Sequence, residues 1–307
     1  MLITVQDVRS LYFDDGTPVT AASGVAPLGN GWLIAQDDAT SAAWRRPGGG
    51  VVPVRVLPPV EGHDRFTEAA GTKPLKPDLE VACPAEVDGE PAVLLLGSGS
   101  TVRRMRGVLV RLADGRPVVQ AADLDPLYAR VAGCLGLRVD QLNLEGASRH
   151  GSVVRWFSRG NLTAGTPSAS VEVPLADLVA AVLGRTPAAA VPVQRPLVHE
   201  LGEVDGVGLA VTDAVALPDG RLLLSAAAED TPNAVDDGPV VASALVLVDG
   251  ERVLEVGRVP EVAGRVAKVE GLAVRAAGER ELQLLAVVDA DDPTAPSAEL
   301  DLRVELS

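Results

Sequence analysis

Ser23, Glu80, Glu145, Asp213 and Glu270 take the same place in five similar phrases of this 307-residue chain. The phrases are ASGVAPLGNGWLIAQDD (22–38), LEVACPAEVDGEPAVLLLGSGS (79–100), LEGASRHGSVVRWFSRGN (144–161), TDAVALPDGRLLLSAAAED (212–230) and VEGLAVRAAGERELQLLAVVDADD (269–292). Each residue stands at the start of a short apolar run. A turn follows, then a second apolar run that ends in a polar cluster. Glu80, Glu145, Asp213 and Glu270 are hard oxygen donors of the kind that hold Ca²⁺ or Mg²⁺. Carboxyls gathered at one place also repel each other, which calls for a cation, shared protons or basic partners. Three readings therefore stand: a metal site, acid–base chemistry, or acids that hydrogen-bond to neighbouring repeats and lock them together.

The polar clusters extend this set with Asp37, Asp38, Ser98, Ser100, Arg159, Asn161, Glu229, Asp230, Asp289, Asp291 and Asp292. Arg159 and Asn161 are candidate ligand contacts: the guanidinium either clamps a carboxylate or phosphate or pairs with a neighbouring acid. Arg103, Arg104 and Arg106 sit in the matching loop of the second copy. Glu229 and Asp230 open the acidic segment 229–240, which has the length of a lid or specificity loop. Lysine occurs only at Lys73, Lys76 and Lys268. All three lie just ahead of a repeat acid, so Lys76 and Lys268 join the ligand candidates as compact positive charges.

Other chemistries lack their residues. His63, His150 and His199 fall outside the matched positions, which argues against a histidine-rich metal centre. Cys83 and Cys134 form no zinc or redox motif. Ser98 and Ser100 have no evident histidine partner, and no nucleophile elbow or phosphate loop is present.

The repeat also dictates the elements that position these residues. Its spacing of roughly 57–68 residues holds one four-stranded propeller blade plus extra loop or helix. The chain reads as all-β, a single β-propeller over 1–307 with five blades; six would need one degenerate blade without the phrase. Val-rich runs bounded by Asp-Gly and Pro turns supply the strands. The fifth copy has only three, and the N-terminal LITVQDV is the strand that completes it and closes the ring. In such a blade the repeat residue begins the innermost strand and the polar cluster ends the second, so both meet at one mouth of the central channel. Helices are expected over 123–136 and 175–184, packed on the outside of the ring. In the third copy Trp156 and Phe157 alternate, one to each face of the strand.

Bulk composition sets limits. Hydrophobic residues are 47% and aromatics 3%, so the core must be Val, Leu and Ala. A formal charge of −15 excludes nucleic acid and disfavours an acidic membrane. With no apolar run long enough to span a bilayer and no leader pattern, a cytoplasmic protein is expected, with a small molecule or a protein as partner at the mouth.

LNLEGAS, KVEGLAV and LPDGRLLL resemble bacterial β-propellers of the phytase-like kind ("esterase-like activity of phytase") and related bacterial propellers. The resemblance implies an acidic mouth that holds Ca²⁺ or Mg²⁺ and acts on phosphate or carboxylic esters. A non-catalytic propeller that binds a small molecule or protein at the same mouth is the alternative.

Overall fold

Short runs of Val, Leu and Ala become strands throughout the computed structural model, which describes residues 1–161, 165–229, 239–290, 292 and 294–307. After β1 (Leu2–Ser10), the first blade is β2 (Ala22–Leu28), β3 (Gly31–Gln36), β4 (Ser41–Arg45) and β5 (Val51–Arg55). The second is β6 (Leu79–Val87), β7 (Glu90–Gly97), β8 (Arg106–Ala113) and β9 (Arg116–Asp123), followed by α1 (Asp125–Leu135). The third is β10 (Leu144–His150), β11 (Val153–Ser158), β12 (Ser168–Pro174), α2 (Leu175–Val182) and β13 (Gln194–His199). A two-residue strand, β14 (Glu203–Val204), leads into the fourth: β15 (Val207–Ala216), β16 (Leu222–Glu229), β17 (Val240–Asp249) and β18 (Arg252–Arg258). The fifth is β19 (Val269–Ala277), β20 (Glu281–Val288) and β21 (Ala298–Glu305).

The five sheets form a five-bladed β-propeller. β1 is the outermost strand of the last blade, antiparallel to β21 from Leu2↔Glu305 to Ser10↔Ala298. The two ends of the chain thus share one sheet, which closes the ring as the sequence requires. Innermost strands β2, β6, β10, β15 and β19 touch in turn, and β19 returns to β2. The hairpins use the expected chemistry: Asp88 (φ 53°) and Gly89 (φ 84°) turn β6 into β7 through a left-handed conformation that Asp and Gly accept.

The core lies in the seams between blades. Leu28, Leu33 and Trp44 of the first blade pack on Leu79, Leu95 and Val108 of the second. Both helices form where expected, but not on the outside: they fill the seam between the second and third blades. Leu127, Tyr128, Val131 and Leu178 are buried there. The physical reason is area, since each buried Leu or Val contributes about 1.5–3 kcal/mol and an outer position would expose them. Trp156 meets Tyr128 edge-on at 4.9 Å in that seam, while Phe157 faces the fourth blade. Among the described residues, no helix is long and apolar enough to cross a membrane.

Candidate functional site

Each innermost strand carries a β-bulge at the same place, and the residue without a register partner is Ser23, Glu80, Glu145, Thr212 or Glu270. The equivalent of the three glutamates in the fourth blade is therefore Thr212, and Asp213 stands one residue later. The sequence match had shifted by one because it aligned acids, whereas the repeated unit is the bulge. The residue after the bulge is Gly24, Val81, Gly146, Asp213 or Gly271. Inner strands come very close here: a Cβ on Gly146 would lie 2.6 Å from Asp213 Cα, and one on Gly271 2.7 Å from Gly24 Cα.

The hydroxyls at the bulge lock the ring. Ser23 Oγ donates to the Leu79 carbonyl (2.5 Å) and Thr212 Oγ1 to the Val269 carbonyl (2.6 Å). Both acceptors sit just before the next blade's bulge glutamate. Asp213 also stitches blades: its Oδ2 accepts from the Leu272 N–H at 2.8 Å.

Glu80, Glu145 and Glu270 line the mouth with two strings of alternating charge. In one, Lys76 Nζ lies 2.5 Å from both Asp37 and Asp78, and Asp78 accepts from Arg104 (2.8 Å) and Ser98. Arg104 also donates to Ser100 (2.9 Å). In the other, Arg159 bridges Glu145 (3.0 Å) and Glu229 (2.5 Å), and Lys268 bridges Glu229 and Glu270 (2.9 Å each). Asn143 donates to Glu145 Oε1 at 2.6 Å. Among the described residues, no hydrogen bond or ion pair reaches the Glu80 carboxylate.

Burial pushes the Glu80 carboxyl well above its usual range, and the charges of Asp78 and Asp37 add to this. Burial likewise raises Glu145 to about 7, with Arg159 opposing and Glu270 adding. Asp37 is also raised to about 7, by burial and Asp78 against Lys76. Burial raises Asp213 well above normal, only partly offset by its backbone donors. Burial acts the same way on Asp78 and Glu229, but Lys76 with Arg104, and Arg159 with Lys268, outweigh it and hold both low.

Asp37, Asp78 and Glu80 have oxygen atoms within 4.8 Å of one another, close enough to share a metal ion. Of the four acids expected to ring a metal, only Glu80 belongs to this group. Among the other expected residues, Asn161 exchanges backbone hydrogen bonds with Thr166. Asp289 accepts from the Ala21 N–H and Ser297. Arg103 and Arg106 pair outside the mouth, with Glu61 and Asp123. Asp230 and Asp291, with most of the 229–240 loop, lie outside the described residues. The sequence reading missed Asp78 and Asn143, and gave Arg104 no place among the carboxylates. A signal existed for two of them: Asp78, Asn143 and Lys268 each stand two residues before a bulge glutamate.

Residues 72–293 match the family of unknown function DUF6910. The chain belongs to that family. The DUF6910 match holds every mouth residue from Lys76 to Glu270. No curated protein matches the sequence. Propeller-like solved structures resemble the chain at low identity. A hypothetical protein from Leishmania major is 11% identical over 98% of this chain and 90% of that one, with a TM-score of 0.48. A luciferin-regenerating enzyme is 11% identical over 93% and 78%, with a TM-score of 0.42. Streptogramin B lyase is 10% identical over 98% and 87%, with a TM-score of 0.42.

Proposed function

We propose that the charged mouth is the ligand site, that Asp37, Asp78 and Glu80 take a divalent cation there, Ca²⁺ or Mg²⁺, and that a phosphate or carboxylic ester is hydrolysed beside it. The carrying observation is the convergence of three carboxylates within 4.8 Å, one of which, Glu80, is reached by no hydrogen bond or ion pair among the described residues. Their hard oxygens suit such ions, with water or ligand completing the shell. Lys76 stands between Asp37 and Asp78, so its ammonium must swing aside. A bound cation supplies polarisation of a phosphoryl or carbonyl oxygen.

The chain's own groups do the rest. Glu145, whose carboxyl is raised to about 7 by burial, can hold or release a proton at neutral pH. Arg159, Lys268 and Lys76 face the anionic part of a ligand, with Asn161 and Glu229 as further contacts. The phytase-like phrases support ester chemistry. Two free cysteines fit a reducing compartment, and we place the protein in the cytoplasm.

Lys76 itself favours a second reading. An ammonium 2.5 Å from Asp37 and Asp78 already supplies positive charge, as suits a metal-free, non-catalytic mouth for a small molecule or partner protein. A thermal melt of EDTA-treated protein with millimolar Ca²⁺, Mg²⁺ or Mn²⁺ separates the two. The metal reading requires a rise that is lost in Glu80→Gln, and hydrolysis of a model ester that depends on the same ion. A melt unmoved by all three ions leaves the binding module.

A further inference from the structure

Tyr128 ties the seam helix α1 to the mouth. It is fully buried, and its hydroxyl donates to the Gly97 carbonyl at 2.8 Å. The same oxygen lies 3.2 Å from the Arg106 carbonyl. These two residues are the stems of the loop between β7 and β8. The ladder of those strands stops at Leu96↔Gly107, and the hydroxyl stands where its next step would be. A buried phenol needs such an acceptor, and this one spans both stems.

From there a chain of contacts runs to Arg104. Gly99 (φ 79°) lies so close on the Tyr128 ring that a Cβ there would run into it. The Gly99 N–H donates to the Arg104 carbonyl at 3.2 Å. A Cβ on Gly97 would run into that same carbonyl. With its backbone held by the two glycines, Arg104 reaches Asp78 at 2.8 Å and Ser100 Oγ at 2.9 Å.

We propose that Tyr128 is a positioning residue of the mouth, which sets the Arg104 guanidinium on Asp78 through Gly97 and Gly99. Packing in the seam needs only the ring, whereas the hydroxyl acts on the loop. Other ties keep the loop folded without it: the Leu144 N–H donates to the Ser98 carbonyl and the Leu124 N–H to the Met105 carbonyl, at 2.8 Å each. Loss of the hydroxyl therefore loosens the Gly97–Arg104 contact and leaves the strands in place. What this does to the Asp37–Asp78–Glu80 corner rests on the metal reading. Arg104 is a positive charge fixed on one of the three ligands, so it opposes a divalent cation there.

The test is phenylglyoxal modification of the intact protein, with the rate at each arginine read by mass spectrometry after digestion. Arg104 and Arg159 are a matched pair, with 19% and 15% of their side chains exposed and each bound to a carboxylate. In Tyr128→Phe, Arg104 should react roughly fivefold faster than in the wild type, the change that loss of one hydrogen bond produces, while Arg159 keeps its wild-type rate. An unchanged Arg104 rate overturns the proposal. A joint rise of both rates overturns it too, because that reports loosening of the whole ring. If Tyr128→Phe does not fold, Tyr128→Met, which fills the seam without a hydroxyl, is read in the same way. Calcium titration of both proteins tests the metal reading separately: Tyr128→Phe should bind Ca²⁺ about threefold more tightly than the wild type. Release of Arg104 with no Ca²⁺ bound by either protein upholds Tyr128 as the positioning residue and counts against the metal reading alone.

Discussion

Asp213 accepts a hydrogen bond from the Leu272 N–H at 2.8 Å, across the seam between the fourth and fifth blades. Its other oxygen lies against Gly146 of the third blade, 3.2 Å from where a Cβ there would be, so one side chain bears on three blades. Replacing it with Ala strips the acceptor from the buried Leu272 N–H. Asp213→Ala should cost about 2–4 kcal/mol in urea unfolding, while Asp213→Asn, which keeps an acceptor, should cost well under half of that. Equal losses would show that volume, not hydrogen bonding, is what matters there.

Gly146 packs against the backbone of that residue. A methyl at Gly146 would sit 2.6 Å from Asp213 Cα, where nothing flexible can yield. Gly146→Ala is expected to cost more than about 2 kcal/mol. Gly115→Ala places its methyl in open space at positive φ (72°) and should cost only about 1 kcal/mol. Matched urea midpoints for the two variants would remove close strand approach as the cause.

Ser23 and Thr212 are the bulge residues that carry hydroxyls. Ser23→Ala and Thr212→Val should each lose about 1 kcal/mol, and Thr212→Ser should recover most of its loss. No recovery with serine would mean that the Thr212 methyl packs and the hydroxyl is idle.

Lys76 is the charge that keeps Asp37, Asp78 and Glu80 together. Lys76→Met removes one member of a buried ion cluster, at a cost of about 3 kcal/mol at pH 8. The loss should shrink at pH 5, where carboxyls raised by burial take up protons. If the proposed cation site exists, millimolar Ca²⁺ or Mg²⁺ restores the variant's Tm more than it moves the wild type. Absence of any rescue would count against the metal ligands.

Between pH 4 and 7 stability should fall with rising pH, because two raised carboxyls outweigh one histidine that acts in the opposite sense. Burial, aided by Arg155, lowers His199 to about 4. As pH falls through 6.5 toward 4, the unfolded chain takes up a proton that the folded one refuses, so stability is lost, by at most about 3 kcal/mol. Glu145 and Asp37 act in the opposite sense. Both are raised to about 7, the first by burial and Glu270, the second by burial and Asp78. The folded protein keeps those protons through a window in which the unfolded chain has released them, so stability declines as pH rises from about 4 to 7. A Tm profile from pH 4 to 8 should fall toward pH 7. His199→Gln should steepen that fall and Glu145→Gln should flatten it; a Tm that climbs to pH 8 would contradict the Glu145 and Asp37 directions.

The sequence by itself determined the ring. Alternating apolar runs and Asp-Gly turns at a long repeat leave few other ways to bury Val, Leu and Ala. The missing fourth strand of the last copy identified β1 as the closure. The mouth was legible too, because a repeat residue at the head of an inner strand must face one end of the channel. The lysines stood out by their scarcity, and two of them pair with the acids beside which they lie. The tertiary structure decided the rest. A bulge is defined by pairing between strands, so Thr212 rather than Asp213 emerged as the fourth equivalent only once β15 met β16. Which acids gather was set by loops from different blades: Asp37 ends up beside Asp78 and Glu80 because the first and second blades are neighbours in the ring. Glu80 joins that corner for the same reason, and among the described residues no hydrogen bond or ion pair reaches it. Local pattern encodes elements and faces, but long-range packing sets the distances, and the chemistry of this mouth depends on distance.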